Sequence, residues 1–180
     1  MHQLILSCSL SKTSKSAVLA QRLCEAVTSI GDDCTLMDLR KIELPFCDAA
    51  SCYEHPNVKK IQQAIADADA VTIATPIYNY ETGGATRNLI ALTGQAWLGK
   101  TVGFICAAGG QGSYMAVMSL ANSLMLDFRC LIVPRFVYAT GASFTDGNLT
   151  DDDVASRVKE LAQELHRIAA ALPADTLPKT

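Results

Sequence analysis

Apolar positions along the chain alternate between short continuous runs and helical stripes. Residues 2–6 form a brief apolar run, after which Leu19, Leu23, Ala26 and Ile30 recur at spacings of 4, 3 and 4 before Gly31. That pattern predicts a buried strand and then an amphipathic helix with a glycine stop. Residues 34–39 alternate as a second strand. Beyond the loop at Pro45 a helix opens at Pro56, with Val58, Ile61, Ile65 and Ala68 on one face. Residues 70–75 and 101–107 are uninterrupted apolar and β-branched runs, which suits strands covered on both faces. Between them, residues 85–92 suit a short helix, and 113–126 a longer one rich in Met and Leu with Ser113 as its cap. A fifth strand, 130–133, is cut by Pro134. Thr150 is expected to cap a helix with an acidic first turn at Asp151, Asp152 and Asp153. Its Val154, Val158, Leu161, Leu165, Ile168 and Leu172 recur at 4, 3, 4, 3 and 4.

Strands that alternate with helices specify an α/β fold, because parallel neighbours need right-handed crossover connections. The expected architecture is a flavodoxin-like, doubly wound, five-stranded parallel sheet of order 2-1-3-4-5. The 180 residues fit one domain spanning 1–180, and 49% hydrophobic against 18% charged residues excludes disordered and fibrous classes. A net charge of −3 without a basic stripe argues against nucleic acid. The first residues form a short apolar run with no basic leader before it, so neither a signal peptide nor a membrane span is expected, and the cytoplasm is the expected location. The seven cysteines are expected to be reduced there, most of them as small hydrophobes. Cys47 and Cys52 form an isolated C-x4-C pattern read as two loop thiols, since a closed metal site needs two more ligands and only His55 is near. None of His2, His55 and His166 falls in a candidate loop, so all three are expected to be structural or superficial.

In an open α/β sheet, ligands sit beyond the carboxyl ends of the strands where strand order reverses, here between the first and third strands. Three loops therefore carry the candidate chemistry. The first crowds Ser7, Ser9, Ser11, Thr13, Ser14 and Ser16 with Lys12 and Lys15 onto a helix start. Free N–H groups, the positive helix end and adaptable hydroxyls suit a phosphate monoester. The second, residues 76–84, offers Pro76, Ile77, Tyr78, Asn79 and Tyr80 before two glycines. It can lie against a flat ring and bond its polar edge. The third, residues 107–113, contributes Gly109 and Gly110, where backbone can approach a ligand closely. This layout separates phosphate anchoring from the ring environment.

With these motifs the chain resembles the NADPH-dependent FMN reductase family, flavodoxin-like flavoproteins that reduce flavins, quinones, azo dyes or metal oxyanions. The family's opening motif, G-S-x-R-x-x-S-x-N-x-x-L-A, falls on residues 8–20 and implies that Ser9, Ser11, Ser14 and Ser16 contact an FMN phosphate, with Lys15 beside them. Its second motif, P-E-Y-N with P-G and K-N, falls on Pro76, Ile77, Tyr78, Asn79, Gly83, Gly84, Arg87 and Asn88 and implies a wall for the isoalloxazine ring. Cys8 stands for the family glycine, Ser11 for the arginine, Ser16 for the asparagine, Ile77 for the glutamate and Gly83 for the proline. Losing the arginine removes a planar, bidentate cation that Lys12 or Lys15 replaces only as a point charge. The resemblance implies FMN and NAD(P)H as cofactors, a small-molecule electron acceptor and a homodimer or homotetramer, for which Met115, Met118 and Met125 would suit the interface. No catalytic side chain and no metal are expected, since the flavin carries the chemistry. FMN is expected over FAD, whose second phosphate would crowd a closed pocket between loop and helix.

Two other functions fit parts of the pattern. Residues 9–16 have Walker A spacing with both glycines replaced by serine, which would make the protein a nucleotide switch or kinase. A flavodoxin-type electron carrier would hold FMN without turning over nicotinamide.

Overall fold

The computed structural model describes residues 1–172. Strand β1 (His2–Ser7) leads through the serine loop into helix α1 (Lys15–Ser29), and β2 (Asp33–Asp38) follows. Helix α2 (Pro56–Asp67) precedes the longest strand, β3 (Ala70–Tyr78). A short β4 (Glu81–Thr82), α3 (Gly84–Thr93) and β5 (Thr101–Ala107) come next. After α4 (Met118–Phe128), the strands β6 (Leu131–Ile132) and β7 (Val137–Ala139) both pair with β5. The hairpin β8 (Phe144–Thr145) and β9 (Asn148–Leu149) leads to α5 (Asp152–Ala171). The sheet runs β2-β1-β3-β5-β6, all parallel. With β4 set aside as the return arm of a hairpin, this is the expected 2-1-3-4-5 order.

Helices cover both faces, as continuous apolar strands require. Leu19 and Leu23 of α1 pack with Val158, Leu161 and Leu165 of α5 on one side of the sheet. Ile61, Ile65, Leu89, Trp97 and Leu120 fill the other. Gly103 in β5 lets α5 come close, because a Cβ there would lie 3.0 Å from Leu161.

Several local expectations are corrected. The fifth strand is two pieces: Pro134 has no N–H for the ladder and Arg135 takes φ 61°, so pairing with β5 stops at Ile132 and resumes at Val137. Ser113 caps no α-helix. It sits with non-helical φ/ψ in a 3-10 stretch, Gln111–Val117, and α4 begins at Met118. Asp151, not Thr150, caps α5, accepting the Val154 N–H at 3.1 Å, while Thr150 bonds Thr145 across the hairpin. Cys24 and Cys34 are not reduced thiols but a disulfide that ties α1 to β2, with Cα atoms 5.7 Å apart. Helical and strand periodicity each explain one of these cysteines as a small core residue, and neither shows that the two meet. Cys8, Cys47, Cys52, Cys106 and Cys130 are free, and burial pushes the Cys8, Cys106 and Cys130 thiols up to about 12.

The histidines are structural where the structure gives them partners. His55 caps α2, its Nδ1 accepting the Asn57 N–H. His166 reaches Asp32, a 6%-exposed carboxylate that also accepts from Gln3 Nε2 at 2.8 Å and from the Met1 ammonium at 3.0 Å. Burial pushes the Asp32 carboxyl up, but Gln3, His166 and the terminal ammonium outweigh it and hold it below the usual range. A depressed folded value means that the stabilisation is complete above the unfolded carboxylate pKa and disappears as pH falls through the folded one. Asp32→Asn should therefore cost about 1–3 kcal/mol at pH 7, a loss of about 2–4 °C in Tm per kcal/mol for a chain of this length. The gap from wild type should narrow in melts run below pH 4. An unchanged Tm at pH 7 would show that the cluster adds no stability.

Candidate functional site

The three loops gather at the carboxyl ends of β1, β3 and β5, at the place where strand order reverses. The first is built by its own hydroxyls. Ser14 caps α1, its Oγ accepting the Ala17 N–H at 3.1 Å and bonding Ser16 Oγ at 3.0 Å. Ser9 Oγ accepts from the Ser11 N–H and Ser11 Oγ from the Thr13 N–H, each at 3.3 Å. Ser9 and Ser16 are almost fully buried, so their hydroxyls shape the loop from inside, whereas Ser11, Lys12, Thr13 and Lys15 are exposed. The first intrahelical bond is Val18 N–H to Ser14 O, which leaves the N–H groups of Lys15 and Ser16 ahead of it available to an anion. Lys15 Nζ lies 5.6 Å from the centre of the Phe144 ring, which holds this cation toward the loop before β8.

The second loop is a hairpin and not an open coil. β3 continues through Pro76 and Ile77 to Tyr78, and Tyr78 pairs with Glu81 across the two residues Asn79 and Tyr80. Both have positive φ, 52° and 61°, as in a type I′ turn, which normally selects Asn-Gly. Tyr78, Asn79 and Tyr80 are exposed at its tip. Ile77 is different: its side chain belongs to the core, so it offers the site only backbone. At the base, Pro76 O accepts from Gly83 N–H at 3.0 Å, and a Cβ on Gly83 would sit 3.1 Å from the proline ring. Behind the hairpin, Glu81 accepts from Arg87 Nη2 at 2.7 Å and from Ser119 Oγ at 3.1 Å, and Arg87 also bonds Ser119. The Arg87 guanidinium, helped by the Thr82 N–H and Ser119, draws the Glu81 carboxyl down to about 2. Thr75 and Thr86 share a buried hydroxyl bond of 2.7 Å that fixes β3 to α3.

The third loop leaves space open. A Cβ on Gly109 or Gly110 would meet nothing within 4 Å. Gly110 O accepts from Tyr138 Oη at 2.6 Å, and Tyr114 stacks on Phe136 with ring centres 4.8 Å apart. An aromatic cluster therefore backs this loop.

Two features were not legible in the residue pattern. Arg40, just past β2, is gripped by Asp38 through Nε at 2.9–3.0 Å and extends Nη1 to 3.5 Å from Ser11 O. A cation thus lies beside the loop position where the family pattern carries its arginine. The loop is also not closed on that side. A groove of about 1390 Å³ runs from Lys12, Ser14 and Lys15 past β2. The crowding expected for a second phosphate is absent in this direction.

The pattern of the NADPH-dependent FMN reductase family matches residues 1–145. An NAD(P)H-dependent FAD/FMN reductase of Geobacillus thermodenitrificans is 32% identical over 152 residues, 82% of this chain and 79% of that protein. An NADPH azoreductase of a Bacillus species is 28% identical over 119 residues, 65% of this chain and 67% of its own. Among solved structures, a flavoenzyme NAD(P)H:(acceptor) oxidoreductase of Paracoccus denitrificans superposes with a TM-score of 0.78 at 20% identity, covering 95% of this chain and 98% of that one. The extent of the family match and of the 32% identity leaves one conclusion: this chain belongs to the NADPH-dependent FMN reductase family.

Proposed function

We propose that the protein is an FMN-dependent NAD(P)H:acceptor oxidoreductase whose loop 9–16 holds the FMN phosphate and whose hairpin and Gly109–Gly110 loop border the ring. The observation that carries this assignment is the convergence of the three loops at the strand-order switch of a chain that belongs to this family. FMN, when bound, supplies the hydride relay from the nicotinamide to a flavin, quinone, azo or metal-oxyanion acceptor. The protein's part is to bind and orient. The N–H groups at the start of α1 and the Ser11 and Thr13 hydroxyls suit phosphate oxygens, with Lys15 and Arg40 as nearby cations. Tyr78, Asn79 and Gly110 offer backbone and side-chain donors and acceptors for a flat, polar-edged ring. Pro76 and Ile77 support the hairpin from inside the strand.

A second copy of the chain is the fitting partner. Met115 is exposed on the 3-10 stretch that follows the glycine loop, and Met125 and Leu126 are exposed farther along α4. We place the protein in the cytoplasm, as five of its seven cysteines are free, although the Cys24–Cys34 disulfide is uncommon in that compartment. Among the described residues, no helix is long and apolar enough to cross a membrane.

Purified protein loaded with FMN should show a flavin absorption spectrum at one FMN per chain and bind FMN more tightly than riboflavin. It should oxidise NADPH or NADH with a quinone or azo dye in a ping-pong pattern. Tight FMN binding without reduction by either nicotinamide would replace the reductase by an electron carrier, and equal affinities for FMN and riboflavin would remove the phosphate site.

A further inference from the structure

The groove beside β2 opens from the phosphate loop, and its length beyond that loop is built to attract anions. It begins on the phosphate loop, with Lys12 and Lys15 on its near wall, and continues past the edge strand to Arg22, Arg40, Lys41 and Lys60. Those six cations face only Glu25, Asp38 and Asp146 among the lining residues, in a chain whose net charge is −3. The excess is therefore local. Glu25 is engaged by Arg22 and Asp38 by Arg40, whereas Lys12, Lys41 and Lys60 have no ion-pair partner among the described residues. Ser7 Oγ lies on the same wall, 1% exposed, with no hydrogen-bond partner. A buried hydroxyl left unpaired is costly and marks a position that a ligand can satisfy. Leu36, Met37, Ile42 and Ala64 add apolar surface along the groove.

We propose that this groove is a subsite for the adenylyl half of FAD, so that the protein takes the flavin dinucleotide as well as FMN. The proposal rests on the assignment of the flavin phosphate to loop 9–16. A mononucleotide ends at that loop. A dinucleotide continues from it with a second phosphate, a ribose and a purine, and the β2 side offers an open path, cations and an apolar wall for them. Arg40 is pre-positioned at the junction: the grip of Asp38 fixes its fork, and Nη1 already reaches the Ser11 carbonyl. Lys41 and Lys60 stand farther along, where the second phosphate and the ribose hydroxyls would lie. The adenosine half of a nicotinamide dinucleotide is a poorer occupant. Its nicotinamide must reach the ring between the loops after β3 and β5, and β1 separates those loops from β2.

The test is the charge-reversed pair Lys41→Glu/Lys60→Glu, both exposed side chains, with Kd for FAD and for FMN read from quenching of flavin fluorescence. Wild-type protein should bind FAD at least as tightly as FMN. The variant should raise the FAD Kd by at least about 10-fold, since like charges then face the second phosphate, and the FMN Kd by less than about 3-fold. Equal shifts for the two flavins, or no shift for either, would overturn the subsite. So would a raised KM for NADPH with FAD affinity unchanged, which would hand the groove to the nicotinamide dinucleotide. Failure of wild-type protein to bind FMN at all would bring down the phosphate loop and the subsite together, an outcome distinct from an FMN-binding protein that treats both flavins alike. Should the double reversal fail to fold, Lys41→Gln/Lys60→Gln makes the same comparison with a smaller factor.

Discussion

Replacing Ser14 with aspartate is expected to abolish tight FMN binding while leaving the chain folded. Ser14 is the N-cap of α1, and aspartate is as good a cap as serine: its carboxylate can accept the Ala17 N–H and the Ser16 hydroxyl that Ser14 Oγ now engages. The new charge also complements the positive end of the helix. Stability should therefore hold or rise slightly. The same carboxylate takes up the positive potential that an anion would use and adds a repulsion of its own. Two like charges 4 Å apart cost about 4 kcal/mol at an effective dielectric of about 20, and screening at the exposed side of the loop reduces this, so FMN affinity should fall by at least about 100-fold. Ser14→Ala is the control. It removes the cap at a cost of about 1 kcal/mol without adding charge, and its FMN affinity should fall far less. Calorimetric titration with FMN beside a thermal melt separates the two effects. A folded Ser14→Asp protein with wild-type affinity would place the phosphate elsewhere.

How much of this could be read from residues alone follows from the range of each signal. The α5 stripe from Val154 to Ile168 repeats a local period, and the structure gives one helix, Asp152–Ala171. The alternation of strands and helices is a signal of the same local kind and specifies an open parallel sheet, and the flavodoxin-like order expected for it is the order observed. Devices that depend on which distant residues meet were out of reach. Arg40 follows a strand in an unremarkable polar stretch, and only the fold brings its fork to Ser11, 29 residues earlier. Cys24 and Cys34 pair because α1 and β2 lie side by side. Val137–Ala139 was missed because Pro134 reads as the end of a strand, although pairing resumes beyond it once the chain has bent.

The candidate site divides in the same way. The serine loop was legible as an anion site because a helix start and its hydroxyls lie within one short segment. Its inner working was not, since burial turns Ser9 and Ser16 inward. The hairpin was hidden by Tyr80, which occupies a left-handed turn position where glycine is the usual signal. Such strain persists only where the surroundings hold it. Here Glu81 locked to Arg87 and Ser119, and Gly83 pressed on Pro76, supply the support.

The glycine loop after β5 gives the other large effect. Gly110→Val should leave the fold intact and lower FMN affinity by at least about 10-fold, because the added side chain fills space that belongs to the ligand. The backbone there is extended, with φ −164°, so valine introduces no strain, and a Cβ meets no protein atom within 4 Å. The hydrogen bond from Tyr138 Oη reaches the carbonyl and does not depend on the side chain. Nothing in the chain therefore demands a glycine at this position. If the ring lies against this loop, the demand comes from the ring, and a branched side chain must push it away from its wall. The affinity for riboflavin, which keeps the ring and lacks the phosphate, should fall by a similar factor in Gly110→Val but much less in Ser14→Asp. That crossed pattern, read from paired titrations with FMN and riboflavin, assigns the ring to one loop and the phosphate to the other. Wild-type affinity for both ligands in a folded Gly110→Val protein would remove the third loop from the site.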